Sequence, residues 1–265
     1  MIPNILSIAG SDPSGGAGIQ ADIKSISANG GYAMAAITAL TAQNTQRVQA
    51  VEMMAPGFVA AQIAAIRDDI RIDAVKIGML GNAEIIGAVV AALDGLDAPV
   101  VLDPVMVAKG GDRLLAAEAV EALRRHLIPR AALITPNLLE AADLLGVAEA
   151  RTREDMLAQA ERLTDLGARA VLLKGGHLTG DASPDLLLHP GGAEWLEGKR
   201  VDSRNTHGTG CTLSAAIAAG LGAGMPLSEA VARGKSYVTG AIAAADMLDV
   251  SQGHGPTHHF HALWA

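Results

Sequence analysis

Six short runs, residues 4–10, 32–40, 73–77, 100–102, 131–134 and 170–173, are apolar at almost every position. Strands with one face in water alternate apolar and polar residues, so runs apolar on both faces demand cover on both. Between them lie segments with apolar residues at helical spacing, such as Ile19, Ile23 and Ile26, or Val59, Ile63, Ile66 and Ile70. This alternation predicts an α/β fold: a three-layer α/β/α sandwich around a mostly parallel central sheet.

Further helices are expected over residues 83–93, along Leu115, Ala119, Leu123 and Leu127, from Asn137 to 145, and over 153–166. Residues 48–53 form a short strand in this reading. Residues 185–188 and 194–196 form a late antiparallel pair around Pro190-Gly191-Gly192, and two helices follow residue 208, the second over 228–247. No repeat or low-complexity linker divides the chain, so residues 1–265 are expected to form one domain.

With 50% hydrophobic and 18% charged residues the chain is a folded globular one. A net charge of −8 and 2% aromatic residues disfavour nucleic acid as a partner and point to a small solute. The single cysteine, Cys211, excludes an internal disulfide and an all-cysteine metal site and fits a reducing, cytoplasmic setting. Residues 1–4 lack the features of a signal peptide. Residues 208–228 are uncharged, yet they are mostly Ala, Gly, Ser and Thr with Pro226 near the end, which reads as a buried helix and not a membrane span.

That helix follows Asn205-Thr206-His207-Gly208-Thr209-Gly210-Cys211. Glycines at a helix start expose backbone N–H groups at the positive end of the helix dipole, so Gly208, Thr209 and Gly210 are expected to form an anion hole. A thiol at the same place is expected to have a depressed pKa; Cys211 reads as a nucleophile, a base or a small buried hydrophobe. His207 either orients this loop or bonds locally.

Ligands of open parallel sheets bind beyond the carboxyl ends of the strands. Ser11, Asp12, Gln43, Asn44, Asp103, Asn137 and Lys174 all fall at such ends. Gly15-Gly16-Ala17-Gly18 matches neither a P-loop nor a dinucleotide fingerprint and by itself reads as a turn. Asn137 and Glu140 have capping-box spacing, with a Mg²⁺ shell as the functional alternative. Asp103 either ends its strand or borders the crevice, and Lys174 either snorkels or meets a phosphate. Asp22 lies beside the apolar stripe of its helix and needs a partner. His254, His258, His259 and His261 read as a solvated or structurally bonded tail. Together these oxygens, the lysine and the glycine turns suit phosphoryl transfer better than a Cys–His hydrolase.

The order of Ala9-Gly10-Ser11-Asp12 through Asp22, Thr41-Ala42-Gln43-Asn44-Thr45, Lys76-Ile77-Gly78-Met79-Leu80, Asp103-Pro104-Val105-Met106, Thr135-Pro136-Asn137-Leu138-Leu139-Glu140, Lys174-Gly175-Gly176-His177, the segment 205–211 and Gly255-Pro256-Thr257-His258-His259-Phe260 resembles the hydroxymethylpyrimidine/phosphomethylpyrimidine kinases of thiamine biosynthesis, in the ribokinase-like superfamily. The resemblance spans essentially the whole chain. It implies two ATP- and Mg²⁺-dependent steps, which take 4-amino-5-hydroxymethyl-2-methylpyrimidine to its monophosphate and then its diphosphate.

By the same resemblance Gly10, Asp22 and Gln43 hold the pyrimidine, with Met79, Val105 and Cys211 around it. Asp103, Asn137 and Glu140 organise Mg²⁺ and the triphosphate, with Asp103 and Glu140 on the metal through water. Lys174 meets phosphate, and the Gly208, Thr209 and Gly210 amides stabilise the transferring group. A cytoplasmic homodimer is implied as well. Two positions depart from relatives: Gln43 is Glu in some members, and Cys211 stands where ribokinase-like sugar kinases carry an aspartate base. Competing readings are a pyridoxine or pyridoxal kinase and a non-catalytic pyrimidine-binding protein.

Overall fold

A computed structural model describes residues 1–106, 115–176, 178, 180, 182–250 and 252–264; His177 of the Lys174–His177 motif lies outside them. The expected apolar runs are strands: β1 (Asn4–Ser11), β2 (Tyr32–Gln43), β4 (Ala74–Ile77), β5 (Val100–Leu102), β6 (Leu133–Ile134) and β7 (Val171–Lys174). The short β3 (Val48–Met53) and the hairpin of β8 (Asp185–His189) and β9 (Gly192–Leu196) complete one sheet in the order β3-β2-β1-β4-β5-β6-β7-β8-β9. From β2 to β7 every pairing is parallel, and the three outer pairings are antiparallel.

Neighbouring residues of each central strand point to opposite faces. Leu6, Val75, Leu102, Ile134 and Val171 enter one core, packed with α2 (Pro56–Arg67), α3 (Ala83–Ala92), α4 (Ala117–Ala122), α5 (Leu138–Leu145) and α6 (Arg153–Asp165). Ile5, Ala74, Val101, Leu133 and Leu172 enter the other, against α1 (Gly18–Ala28), α7 (Thr209–Gly222) and α8 (Leu227–Ala243). This is the three-layer α/β/α sandwich, and it explains why the strands lack polar alternation.

The uncharged stretch after residue 208 becomes α7, with every residue from Thr212 to Gly220 buried. Small residues let α8 approach: a Cβ on Gly234 would lie 2.8 Å from Ile217 Cγ1. No described helix is long and apolar enough to cross a membrane.

Three boundaries differ from expectation. β2 continues past Leu40 to Gln43, because Leu40, Thr41 and Ala42 pair with Glu52, Val51 and Ala50 of β3; Gln43 and Asn44 therefore sit at the end of a two-stranded ribbon. The stripe from Leu115 to Leu127 divides into α4 and a π-helical turn, Leu123–Leu127, ahead of Pro129, which has no N–H to continue a helix. α8 stops at Ala243, with a separate 3₁₀ turn over Ala245–Met247.

The chain reverses direction across the sheet at β1, which has β2 on one side and β4 on the other, and the strand ends around it form the crevice. Beneath that crevice lies a buried ion pair: Lys76 Nζ of β4 donates to Asp22 Oδ2 of α1 at 2.8 Å, and both side chains are 0% exposed. Ser7 Oγ of β1 donates to the same oxygen at 2.6 Å. Burial disfavours the ammonium, but Asp22, with Cys211 and Asp103 nearby, outweighs it and raises the Lys76 pKa.

Removing one member of a buried pair strands the other's charge, so Lys76→Met should destabilise the protein by about 3–5 kcal/mol. Adding Asp22→Asn should recover part of that loss, and urea unfolding of the two variants checks it.

Candidate active site

Gly208 adopts a left-handed conformation, φ +76, and a Cβ there would lie 1.8 Å from the Gly16 carbonyl oxygen. Glycine is required twice over, by torsion and by the close approach of the loop before α1. Among the described residues no side chain caps α7, and the Thr209 N–H is bonded to Thr206 O at 3.4 Å. Thr209 turns its hydroxyl back onto Thr206 O at 2.7 Å, while Thr212 N and Oγ1 both donate to Gly208 O at 2.8 Å.

Opposite it lie Asp103, just beyond β5, and Lys174, the last residue of β7. Lys174 Nζ donates to Asp103 Oδ1 at 3.1 Å and stands 4.0 Å from Glu140 Oε2. Thr135 Oγ1 donates to Asp103 Oδ1 at 3.1 Å. A Cβ on Gly210 would lie 3.2 Å from Lys174 Nζ and 3.4 Å from Asp103 Oδ2, so this cluster abuts the first turn of α7.

The capping box is present: Glu140 N donates to Asn137 Oδ1 and Asn137 N to Glu140 Oε2, each at 2.8 Å. The capping carboxylate also faces Lys174, so one residue serves both readings. Burial, with Asp103 adding to it and Lys174 opposing, pushes Glu140 up to about 7. Burial opposes the Lys174 charge, but Asp103 and Glu140 overcome it and raise its pKa.

Two buried carboxylates and one lysine leave negative charge in excess when all three are ionised, which suits a cation. No group of three or more His, Cys, Asp or Glu among the described residues could hold a metal unaided. A Mg²⁺ ion here would complete its shell with water and phosphate, as that ion commonly does.

Of the residues expected around the pyrimidine, Gly10 and Met79 are in contact, since a Cβ on Gly10 would lie 2.6 Å from Met79 Cε. Asp22 is engaged by Lys76 and Ser7 through Oδ2, while its Oδ1 is buried without a partner. Val105 follows Asp103 and donates its N–H back to Asp103 O at 2.8 Å. Gln43 stands apart at the ribbon end, with its Nε2 3.5 Å from His207 Nε2.

The expected depressed thiol pKa is overturned. Burial pushes Cys211 up to about 11, against the pull of Lys76 and of the Gly18 N–H that donates to its sulfur. The helix start is outweighed because the thiol lies among buried groups that include the Asp22 and Asp103 charges.

The sequence does not identify the partners of Lys76 and Asp12, and it leaves the histidine tail between a solvated and a structurally bonded reading. Lys76 was visible as a lone charge within an apolar strand, the pattern that marks a buried, paired lysine. Asp12 receives N–H bonds from Ser14 and Ala17 and lies 2.8 Å from His207 Nε2, a pairing no local spacing reveals. The tail is structurally bonded: Thr257, His258 and His259 are buried, and His259 Nε2 lies 3.1 Å from Thr212 Oγ1 of α7.

A phosphomethylpyrimidine kinase family model matches residues 12–258. The hydroxymethylpyrimidine/phosphomethylpyrimidine kinase of Salmonella typhimurium is 52% identical over 262 residues, covering 98% of each chain. That of Rhizobium meliloti is 52% identical over 259 residues, covering 98% of this chain and 97% of the relative. Among solved structures, an ADP complex of Bacillus subtilis pyridoxal kinase superposes with a TM-score of 0.90 at 38% identity over 99% of both chains. Phosphomethylpyrimidine kinase from Clostridium difficile 630 superposes with a TM-score of 0.80 at 44% identity, over 91% of this chain and all of that one. With near-complete coverage and half of all residues identical, this chain belongs to the phosphomethylpyrimidine kinase family.

Proposed function

We propose that this protein phosphorylates 4-amino-5-hydroxymethyl-2-methylpyrimidine and then its monophosphate, using ATP, with residues 1–265 acting as one kinase unit. The observation that carries the reading is the Lys174–Asp103–Glu140 cluster set against the uncapped first turn of α7. The Gly208, Thr209 and Gly210 amides receive the transferring phosphoryl group and Lys174 its oxygens, where charge builds up. Asp103 and Glu140, with Asn137 beside them, would hold Mg²⁺ through water, and the ion would supply charge neutralisation to the triphosphate.

On the other side of the anion hole, Gly10, Met79 and Val105 wall the pyrimidine ring and Gln43 closes its rim, while Asp22, fully buried against Lys76, supports the floor beneath them and does not touch the ring itself. The 52% identity to pyrimidine kinases, against 38% to a pyridoxal kinase, favours the pyrimidine. The reading includes a cytoplasmic homodimer, as the resemblance to the family implies.

The two steps differ in proton demand. A primary hydroxyl must shed its proton, whereas a phosphate monoester arrives largely as an anion above its second pKa of roughly 6. Cys211 is the base we assign to the first step. A thiol with a pKa of about 11 is ionised in only about one molecule in 10⁴ at neutral pH, and is a strong base when it is.

Above the range in which Glu140, at about 7, titrates in the site shared by both steps, the first-step rate should therefore keep rising with pH towards about 11, while the second stays flat. Cys211→Ala should slow the first step more than the second and abolish that rise; equal losses in a steady-state assay of both steps would remove Cys211 as the base. Lys174→Ala should slow both steps by about 10²-fold through the shared phosphate site, and an intact second step would contradict its placement.

A further inference from the structure

Two loops meet at the site, residues 12–18 before α1 and residues 205–211 before α7, and they are joined by more than shape. Asp12 organises the first loop: its Oδ1 accepts from Ser14 N at 2.9 Å and Ser14 Oγ at 2.7 Å, and its Oδ2 accepts from Ala17 N at 2.8 Å. That same Oδ2 lies 2.8 Å from Nε2 of His207 in the second loop, and the two side chains are 4% and 12% exposed.

Burial works to raise the Asp12 carboxyl, yet the bonds with His207 and Ser14 hold it below its ordinary value. His207 is itself fixed by its N–H to Gly255 O at 3.0 Å, and a Cβ on Gly16 would strike its ring at 2.5 Å. One residue on, Gly208 abuts the Gly16 carbonyl, and at the far end Gly18 N–H donates to the Cys211 sulfur.

The imidazole therefore stands between the glycine loop that follows Gly10 and the turn that opens α7, with Gln43 3.5 Å from the same nitrogen. Phosphoryl transfer depends on alignment more than on covalent chemistry, so a small slip between these loops would reach the reacting atoms. We infer that His207 is a positioning residue for phosphoryl transfer, which through Asp12 holds the Thr209 and Gly210 amides in register with the glycine loop before α1. This rests on the kinase reading of the site given above.

The test compares wild type, His207→Ala, His207→Gln, Asp12→Asn and the double variant Asp12→Asn/His207→Ala, with kcat and KM for the pyrimidine alcohol and for ATP, alongside thermal melting. His207→Ala should lower kcat about tenfold, with both KM values changed less than about threefold. His207→Gln keeps an N–H in reach of Asp12 and should recover most of kcat. Asp12→Asn should resemble His207→Ala, and the double variant should be no slower than the worse single one, because partners in one interaction are not additive.

A His207→Ala enzyme with wild-type kcat, a glutamine variant as slow as the alanine one, or losses that multiply in the double variant would overturn the inference. If His207→Ala fails to fold, the glutamine and Asp12→Asn variants decide between the same outcomes. A wild type without kinase activity on the alcohol would instead overturn the reading of the site, and the positioning role with it.

Discussion

The pair of Lys76 and Asp22 is the constraint around which the crevice is arranged. Two unit charges with no exposed surface are costly to desolvate, and the cost is met only where attraction and hydrogen bonds converge. Here β4 supplies the ammonium, α1 the carboxylate and β1 the Ser7 hydroxyl, so three elements must keep their relative positions for any of these groups to be satisfied. The pair fixes Asp22 with one oxygen committed and the other buried and free. A rigid, closed floor beneath the crevice follows from that geometry.

The same low-polarity setting shapes the rest of the site. Burial lifts Glu140 towards neutrality and Cys211 well above it, while Lys174 stays cationic because two carboxylates face it. Each group is held in a state that a neighbour or a ligand relieves: added positive charge favours the Glu140 carboxylate, and a phosphate gives Lys174 a further partner. Electrostatic preorganisation of this kind suits a reaction that spreads negative charge over phosphoryl oxygens. Covalent catalysis by the lone cysteine fits less well, since its thiol is protonated at neutral pH.

Local patterns located much of this. Apolar runs marked the central strands because a strand covered on both faces admits a polar side chain only where a buried partner meets it, as Asp22 meets Ser7 and Lys76. The glycines of residues 208–210 marked a close approach because Gly208 needs both a left-handed torsion and the absence of a Cβ. The Asn137–Glu140 spacing marked a capping box that is present. Of the strand-end polar residues, Asp103, Asn137 and Lys174 are brought together with Glu140, whereas Gln43 and Asn44 lie at the end of the β2–β3 ribbon. That extension depends on pairing with β3, which no periodicity within β2 encodes.

What the sequence determined by itself is the layered α/β architecture, the places where strands end and the turn that opens α7, because these follow from side-chain period and backbone torsion within a few residues. Only the tertiary structure decided which of those places meet. Lys76 finds Asp22 across 54 residues and His207 finds Asp12 across 195. The protonation of Cys211 was decided there too: the helix start that favours a thiolate is local, whereas the burial that defeats it is assembled from distant elements. Desolvation and charge pairing act through space, so their outcome appears only when the chain has folded.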